Sequence, residues 1–203
     1  MRSITRSGGG GRGRREAVER DVFDAVERLL GDGESFTALG VQRIADEAKI
    51  ARTTFYGHFP DKPTLLIRMT EAVTADLFQR AADWVQRGGT RDELVQTILS
   101  LVGEQRRHAP LLRALAEVAS YEREVEAFWH ARIEAFADVI RERLERDHQP
   151  DESPDPVYIA SWIAWGTERT IAVHVATRPP GADHAFAQGV AHAIWATMQR
   201  PAA

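Results

Sequence analysis

FTALGVQRIADEAKIARTTFYGHFPDK, residues 36–62, decides how this chain is read. Val41, Ile44, Ala45 and Ala48 recur at helical spacing, which predicts a short amphipathic helix from about Leu39 to Ala48. Lys49 and Ile50 break the run. A second short helix is expected from about Ala51 to Phe59. Pro60 ends it, because a residue before proline is pushed out of the helical region. Two short helices joined by a tight turn describe a helix-turn-helix. On the second helix Phe55 and Phe59 form an i,i+4 apolar pair that anchors one face. Arg52, Thr53, Thr54, Tyr56 and His58 give the helix its hydrogen-bonding groups.

Ile44-Ala45, Ala48, Ile50, Thr54-Phe55-Tyr56, His58-Phe59, Lys62 and Leu65-Leu66 stand in an order and spacing that resemble the TetR family of bacterial transcription regulators. The resemblance implies that the second helix enters the major groove of double-stranded operator DNA. Arg52, Thr53, Thr54 and Tyr56 would then make base and phosphate contacts, while Thr37, His58 and Lys62 would hold the backbone. The chain departs from the family pattern twice. Lys49 stands where the family usually has Gly, and Ala51 where it has a capping Ser. A side chain at a left-handed turn position costs about 1 kcal/mol, and a lost N-cap roughly another 1 kcal/mol. Lys49 offers a phosphate contact in return.

Upstream, residues 1–15 are rich in Gly, Ser and Arg and contain no acid, which predicts a disordered basic arm. Arg14 and Arg15 lie closest to the first helix and are its best candidates for reaching DNA. Glu16 to Leu30 reads as that helix, with Val18, Val22, Ala25, Val26, Leu29 and Leu30 as its stripe and Gly31-Asp32-Gly33 as its stop. Thr37 is expected to cap the next helix or to bond a phosphate. The net charge of −4 is unusual for a DNA binder, but the acid excess lies beyond residue 62. The division expected is an arm over 1–15, a DNA-binding domain over 16–62, and a ligand-binding and dimerisation domain over 63–203.

Downstream the pattern stays helical. Asp61 caps a helix running through Leu65, Leu66, Met69 and Leu77 to about Arg87, where Gly88-Gly89 ends it. Further helices are expected over about 92–107, 110–119, 122–146, 157–177 and 183–199, with a polar loop at 149–156. No alternating strand pattern occurs, so the fold class is all-α with nine helices, which is the number the resemblance implies. There is no cysteine, which excludes disulfides and cysteine-based sites. Scattered histidines, the lack of a Gly-x-Ser-x-Gly elbow and the lack of a phosphate loop argue against metal, cofactor or catalytic chemistry. With no signal peptide or membrane-length apolar run, a cytoplasmic protein is expected.

Two constellations stand out in the second half. Gly166, Ala185, Gly189 and Ala193 put small residues where another backbone could approach, either within the chain or across a dimer interface. The resemblance favours a homodimer in which the last two helices pair with their symmetry mates. All five tryptophans fall after residue 80. Trp84, Trp129, Trp162, Trp165 and Trp195, with Phe128 and Phe136, read either as plain core or as an aromatic-lined pocket. Thr167 and Thr170, flanking Glu168-Arg169, interrupt an otherwise apolar helix and offer polar anchors. This half is also similar to the subgroup of the mycobacterial ethionamide-resistance repressor. That resemblance implies a ligand tunnel, with Trp129, Thr167 and Trp195 at lining positions. Thr167 replaces a ligand-binding asparagine there.

The function expected is a dimeric repressor released from a palindromic operator by a small apolar or aromatic effector. One rival is a ligand-independent architectural DNA binder. The other is an all-helical enzyme using Glu168, Arg169 and His174.

Overall fold

The computed structural model describes residues 9–146 and 155–198, with side chains from residue 13 onward. Arm residues 1–8 and residues 147–154, which include most of the polar loop expected at 149–156, lie outside the described residues. Among the described residues there are nine α-helices and no strand. In order they are α1 (Gly9–Gly31), α2 (Val41–Glu47), α3 (Arg52–His58), α4 (Lys62–Arg87), α5 (Arg91–Arg107), α6 (Ala109–Ala119), α7 (Arg123–Arg146), α8 (Pro156–Thr177) and α9 (Asp183–Met198). A single 3₁₀ turn, Pro180–Ala182, precedes α9. No helix among them is long and apolar enough to cross a membrane.

The chain forms two compact units. The first comprises Met1–Thr70 and Pro110–Val125, the second Glu71–Ala109 and Glu126–Ala203. This partition differs from the sequence division at 62/63. It assigns the start of α4 and nearly all of α6 to the first unit.

The first unit is built on the stripe read from α1. Val22, Ala25, Val26, Leu29 and Leu30 are buried, with Ile44, Ala45, Phe55, Phe59, Leu65 and Leu66. α1 begins at Gly9, seven residues before the expected start. Arg14 and Arg15 therefore lie on a helix rather than on a free arm. Arginine is a good helix former, and Arg15 pairs with Glu19 one turn on, at 3.3 Å. Propensity does not explain the glycine-rich first turn.

Asp61 caps α4 as expected, accepting from the Thr64 amide at 2.8 Å. At the other end Gly88 adopts φ +68°. A Cβ on Gly89 would come within 2.6 Å of the Trp84 ring. Trp84 Nε1 donates to the Thr90 carbonyl at 3.1 Å. Thr90 then opens α5 with a capping box closed by Glu93. The core of this second unit is formed by Trp84, Val85, Ile98, Val102, Ile133, Ile140, Ile163, Ile171, Ala187, Ala191 and Ile194. α5 packs on both α8 and α9.

Candidate nucleic-acid interface and effector recess

The turn between α2 and α3 adopts the geometry its sequence resists. Lys49 has φ +56°, the one described non-glycine residue with positive φ. Ala51 stands at the N-cap of α3 and supplies no side-chain hydrogen bond. A helix of seven residues is marginal by itself, so tertiary contacts must hold it. Phe55 and Phe59 are fully buried, their centroids 5.4 Å apart, and Phe23 of α1 lies 6.0 Å from Phe59. Arg68 of α4 donates to the His58 carbonyl at 3.3 Å and meets Glu19 of α1 at 3.2 Å. It also lies over the Phe59 ring at 5.4 Å. One arginine thus ties the end of α3 to α1 and α4. Arg68 and Glu19 were missed in the sequence, because Glu19 lies far from the motif in chain order and Arg68 stands on the next helix.

On the opposite side of α3, Arg52, Thr53 and Tyr56 are exposed and Thr54 is half-buried. Tyr56 retains 44% of its accessible surface, and Arg52 lies 3.4 Å from its hydroxyl. Arg14, Arg15, Lys49, Thr54 and His58 line one open cleft of about 480 Å³, so eight of the ten predicted DNA-contacting residues (these five with Arg52, Thr53 and Tyr56) lie on or beside α3.

Three side chains take other roles. Thr37 does not cap α2, whose N-cap is Gly40. Its hydroxyl donates to Glu117 at 2.7 Å and lies 3.3 Å from the Tyr121 hydroxyl. The ammonium of Lys62 donates to the Thr37 carbonyl at 3.0 Å and sits 5.1 Å from the Phe36 ring centroid. Burial draws its pKa below the usual lysine range. His58 is half-buried, with Nδ1 3.7 Å from the Glu19 carboxylate. A phosphate would have to compete with each of these internal partners.

The aromatic residues of the second unit do not form one tunnel. The space bounded by Trp84, Phe136, Thr167 and Ile163 measures about 30 Å³, the share of a single water. Trp195 is tilted against Trp84 at 6.4 Å, and Trp129 meets Phe78 edge-on at 6.2 Å. Trp165 is half-buried; its indole donates to Glu134 at 2.6 Å, and its ring lies 4.8 Å from His130. Thr170 is exposed and donates to the Gly166 carbonyl. Trp162 is 58% exposed, so it is neither core nor pocket within the protomer. An apolar helix without a polar side gives no signal of which residues turn inward, and hence the misassignment.

The larger recess, about 550 Å³, lies between α4 and α7. Phe78, Phe128, Phe136 and Val139 form its apolar wall, and Arg132 and Gln79 are its polar members. Phe128 and Phe136 were expected at a ligand site; Arg132 was not.

The side chains invoked for an enzyme are dispersed in role. Arg169 is exposed, and burial raises the Glu168 carboxyl above its usual range, with Arg169 pulling it down. His174 is buried, stacked on Phe186 at 4.0 Å, with Nε2 2.8 Å from Asp183. Asp183 also receives two bonds from Arg106, at 2.6 and 2.9 Å, and its carboxyl is held down at about 2, first by Arg106 and further by His174, with burial opposing. This cluster fastens the start of α9 to α5 and α8. No group of three or more His, Asp or Glu among the described residues is placed to hold a metal ion.

Residues 24–69 match the family described as bacterial regulatory proteins, tetR family. The helix-turn-helix segment of the chain belongs to that family. It is 28% identical over 187 residues to the HTH-type transcriptional regulator EthR of Mycolicibacterium smegmatis, covering 84% of this chain and 83% of that one. An HTH-type transcriptional regulator of Haemophilus influenzae is 32% identical over 79 residues; the match spans 37% of this chain and only 38% of that relative's length. The crystal structure of a TetR-family regulator from Streptomyces coelicolor superposes with a TM-score of 0.67 at 19% identity, over 92% of this chain and 80% of that one. That likeness carries the fold. The family match and these relatives support a DNA-binding transcriptional regulator.

Proposed function

We propose that the chain is a homodimeric repressor that binds a partly palindromic operator and is released by a small, mostly apolar effector. The observation that carries the DNA reading is the face of α3. Arg52, Thr53 and Tyr56 are exposed on a helix whose opposite side is pinned by Phe55, Phe59 and Arg68, and the cleft beside it collects Arg14, Arg15 and Lys49. Donors on a rigid helix with flanking cations suit base edges and phosphates respectively. The functional division follows: residues 16–62 with the start of α4 bind DNA, and the rest of the chain dimerises and binds the effector.

The dimer reading is supported by an uncovered apolar surface on α8 and α9. Tyr158, Trp162 and Val173 are exposed on α8, and Ala185, Gly189 and Ala193 on α9. A Cβ added to Gly166 or Gly189 would meet nothing within 4 Å in the protomer. Among the described residues, then, no close neighbour accounts for these glycines, which favours contact with a second copy. The effector reading is supported by the recess between α4 and α7, whose volume lies within the usual range for ligand pockets.

Fluorescence anisotropy with a partly palindromic sequence from upstream of the gene tests this reading. Specific, dimeric and salt-sensitive binding is expected, with half-sites about one helical turn apart, roughly 34–36 Å. Equal affinity for scrambled DNA at physiological salt would sink it.

A further inference from the structure

The geometry points to an apolar carboxylate as the effector of the α4/α7 recess, its head group held by Arg132 and its body lying along Phe78, Phe128 and Phe136. This rests on the proposed reading of that recess as the effector site. Arg132 projects from α7 among aromatic and alanine side chains, with its guanidinium carbon 4.6 Å from the Phe78 ring centroid. Its Nε is buried and, among the described residues, has no hydrogen-bond acceptor. A buried donor without an acceptor is costly, and a guanidinium is costlier still to desolvate. Burial accordingly lowers the pKa of Arg132, and the charge of Glu71 only partly opposes this. The other polar side chain of the recess, Gln79, already donates to Asp83 at 2.9 Å. The unmet demand is therefore for an acceptor bearing negative charge.

A carboxylate fits that demand. Its two oxygens match the planar fork of a guanidinium, and charge-assisted bonds of this kind are about twice as strong as neutral ones. The remaining wall, Phe78, Phe128, Phe136 and Val139 with several alanines, offers nothing for a polar body and favours hydrocarbon. An uncharged apolar molecule would fill the recess but leave the Arg132 Nε as it is. Discrimination between the two is the signature of the site.

The test uses the full chain, with sodium decanoate and decan-1-ol as matched probes, followed by isothermal titration calorimetry. Decanoate is expected to bind at least tenfold more tightly than the alcohol. Arg132→Met should bring decanoate down to the alcohol's affinity and leave the alcohol unchanged, and Arg132→Lys should restore part of the difference. Ala135→Phe, which narrows the recess, should weaken both probes. Equal binding of the two probes by the unaltered protein, with both blocked by Ala135→Phe, overturns the carboxylate and keeps the recess as the effector site. Failure of both probes to bind, or binding of both unaffected by Ala135→Phe, overturns the carboxylate together with the site. A parallel loss of both probes in Arg132→Met overturns the head-group role, because Arg132 would then be supporting the recess wall.

Discussion

Helices α3 and α8 present their chemistry in opposite ways. α3 has seven residues, no side-chain cap and a strained residue before it. It is held from one side only, by Phe55, Phe59 and the Arg68 clamp. α8 has 22 residues, starts on an Asp155 cap with Pro156 behind it, and is apolar almost all round. One side of it is core, through Ala160, Ile163, Ala164 and Ile171, yet Tyr158 and Trp162 remain 75% and 58% exposed. The contrast teaches where function can be read. On α3 the buried and the presented residues differ in chemical kind. On α8 core, interface and cavity residues share one kind, and only three-dimensional placement separates them.

The sharpest way to break this contrast is to delete one large ring from each helix. Phe55→Ala removes a fully buried side chain and should cost about 3–5 kcal/mol. Trp162→Ala should leave the protomer's fold intact and instead weaken self-association. Urea unfolding at several protein concentrations and analytical ultracentrifugation separate the two effects. A Trp162→Ala protein that stays a dimer but unfolds as readily as Phe55→Ala would show that Trp162 is core.

The corner between α8 and α9 gives the next largest effect. The Asp183 carboxyl sits at about 2 in the folded chain against an ordinary 3.8. A lowered carboxylate pKa stabilises the fold above the ordinary value, and that contribution is lost as pH falls through the folded value. It is therefore complete above about pH 4 and gone near pH 2, and its size is at most about 2 kcal/mol. Asp183→Asn should lower unfolding free energy at pH 7 by a comparable amount and flatten its fall between pH 4 and pH 2. An unchanged acid limb in the variant would remove Asp183 as its cause.

Lys49 measures what the turn before α3 gives up. Lys49→Gly relieves φ +56° and should stabilise the first unit by about 1 kcal/mol. If Lys49 also meets a phosphate, the salt slope of DNA binding should fall by about 1 per subunit. Thermal melts and a salt titration read the two separately. A more stable protein with an unchanged slope would make Lys49 a cost with no return in DNA contact.

These contrasts mark how much was legible beforehand. The helix-turn-helix, the strain at Lys49, the bare N-cap at Ala51, the Asp61 cap and the sequence of helices all follow from local chemistry, and the structure bears them out. The roles of Thr37, Lys62 and Trp162 were not legible. Thr37 is answered by Glu117, 80 positions away. Lys62 is engaged by a backbone carbonyl, which leaves no trace in residue type. Trp162 sits on a helix whose apolar residues surround its axis. The Arg132 recess was missed because an arginine on a long amphipathic helix reads as fully solvated, and here its Nε is buried.

The smallest effect concerns Gly57, on the exposed side of α3. A Cβ added there would meet nothing within 4 Å. Gly57 also lines the cleft with Arg14, Arg15, Lys49 and Thr54. Glycine within a helix costs roughly 0.5–1 kcal/mol relative to alanine, so Gly57→Ala should raise stability by about that much. The free protein therefore gives no packing reason for a glycine at this point of the recognition helix. Close approach of the backbone to DNA would give one, since a methyl group here would stand between helix and phosphate. If α3 is the DNA-contacting helix, Gly57→Ala should melt higher and bind operator more weakly. The same substitution at Gly103, an exposed glycine on α5, should melt higher and leave operator affinity alone. Operator affinity unchanged in Gly57→Ala would place this side of α3 away from the DNA and restrict the interface to Arg52, Thr53 and Tyr56.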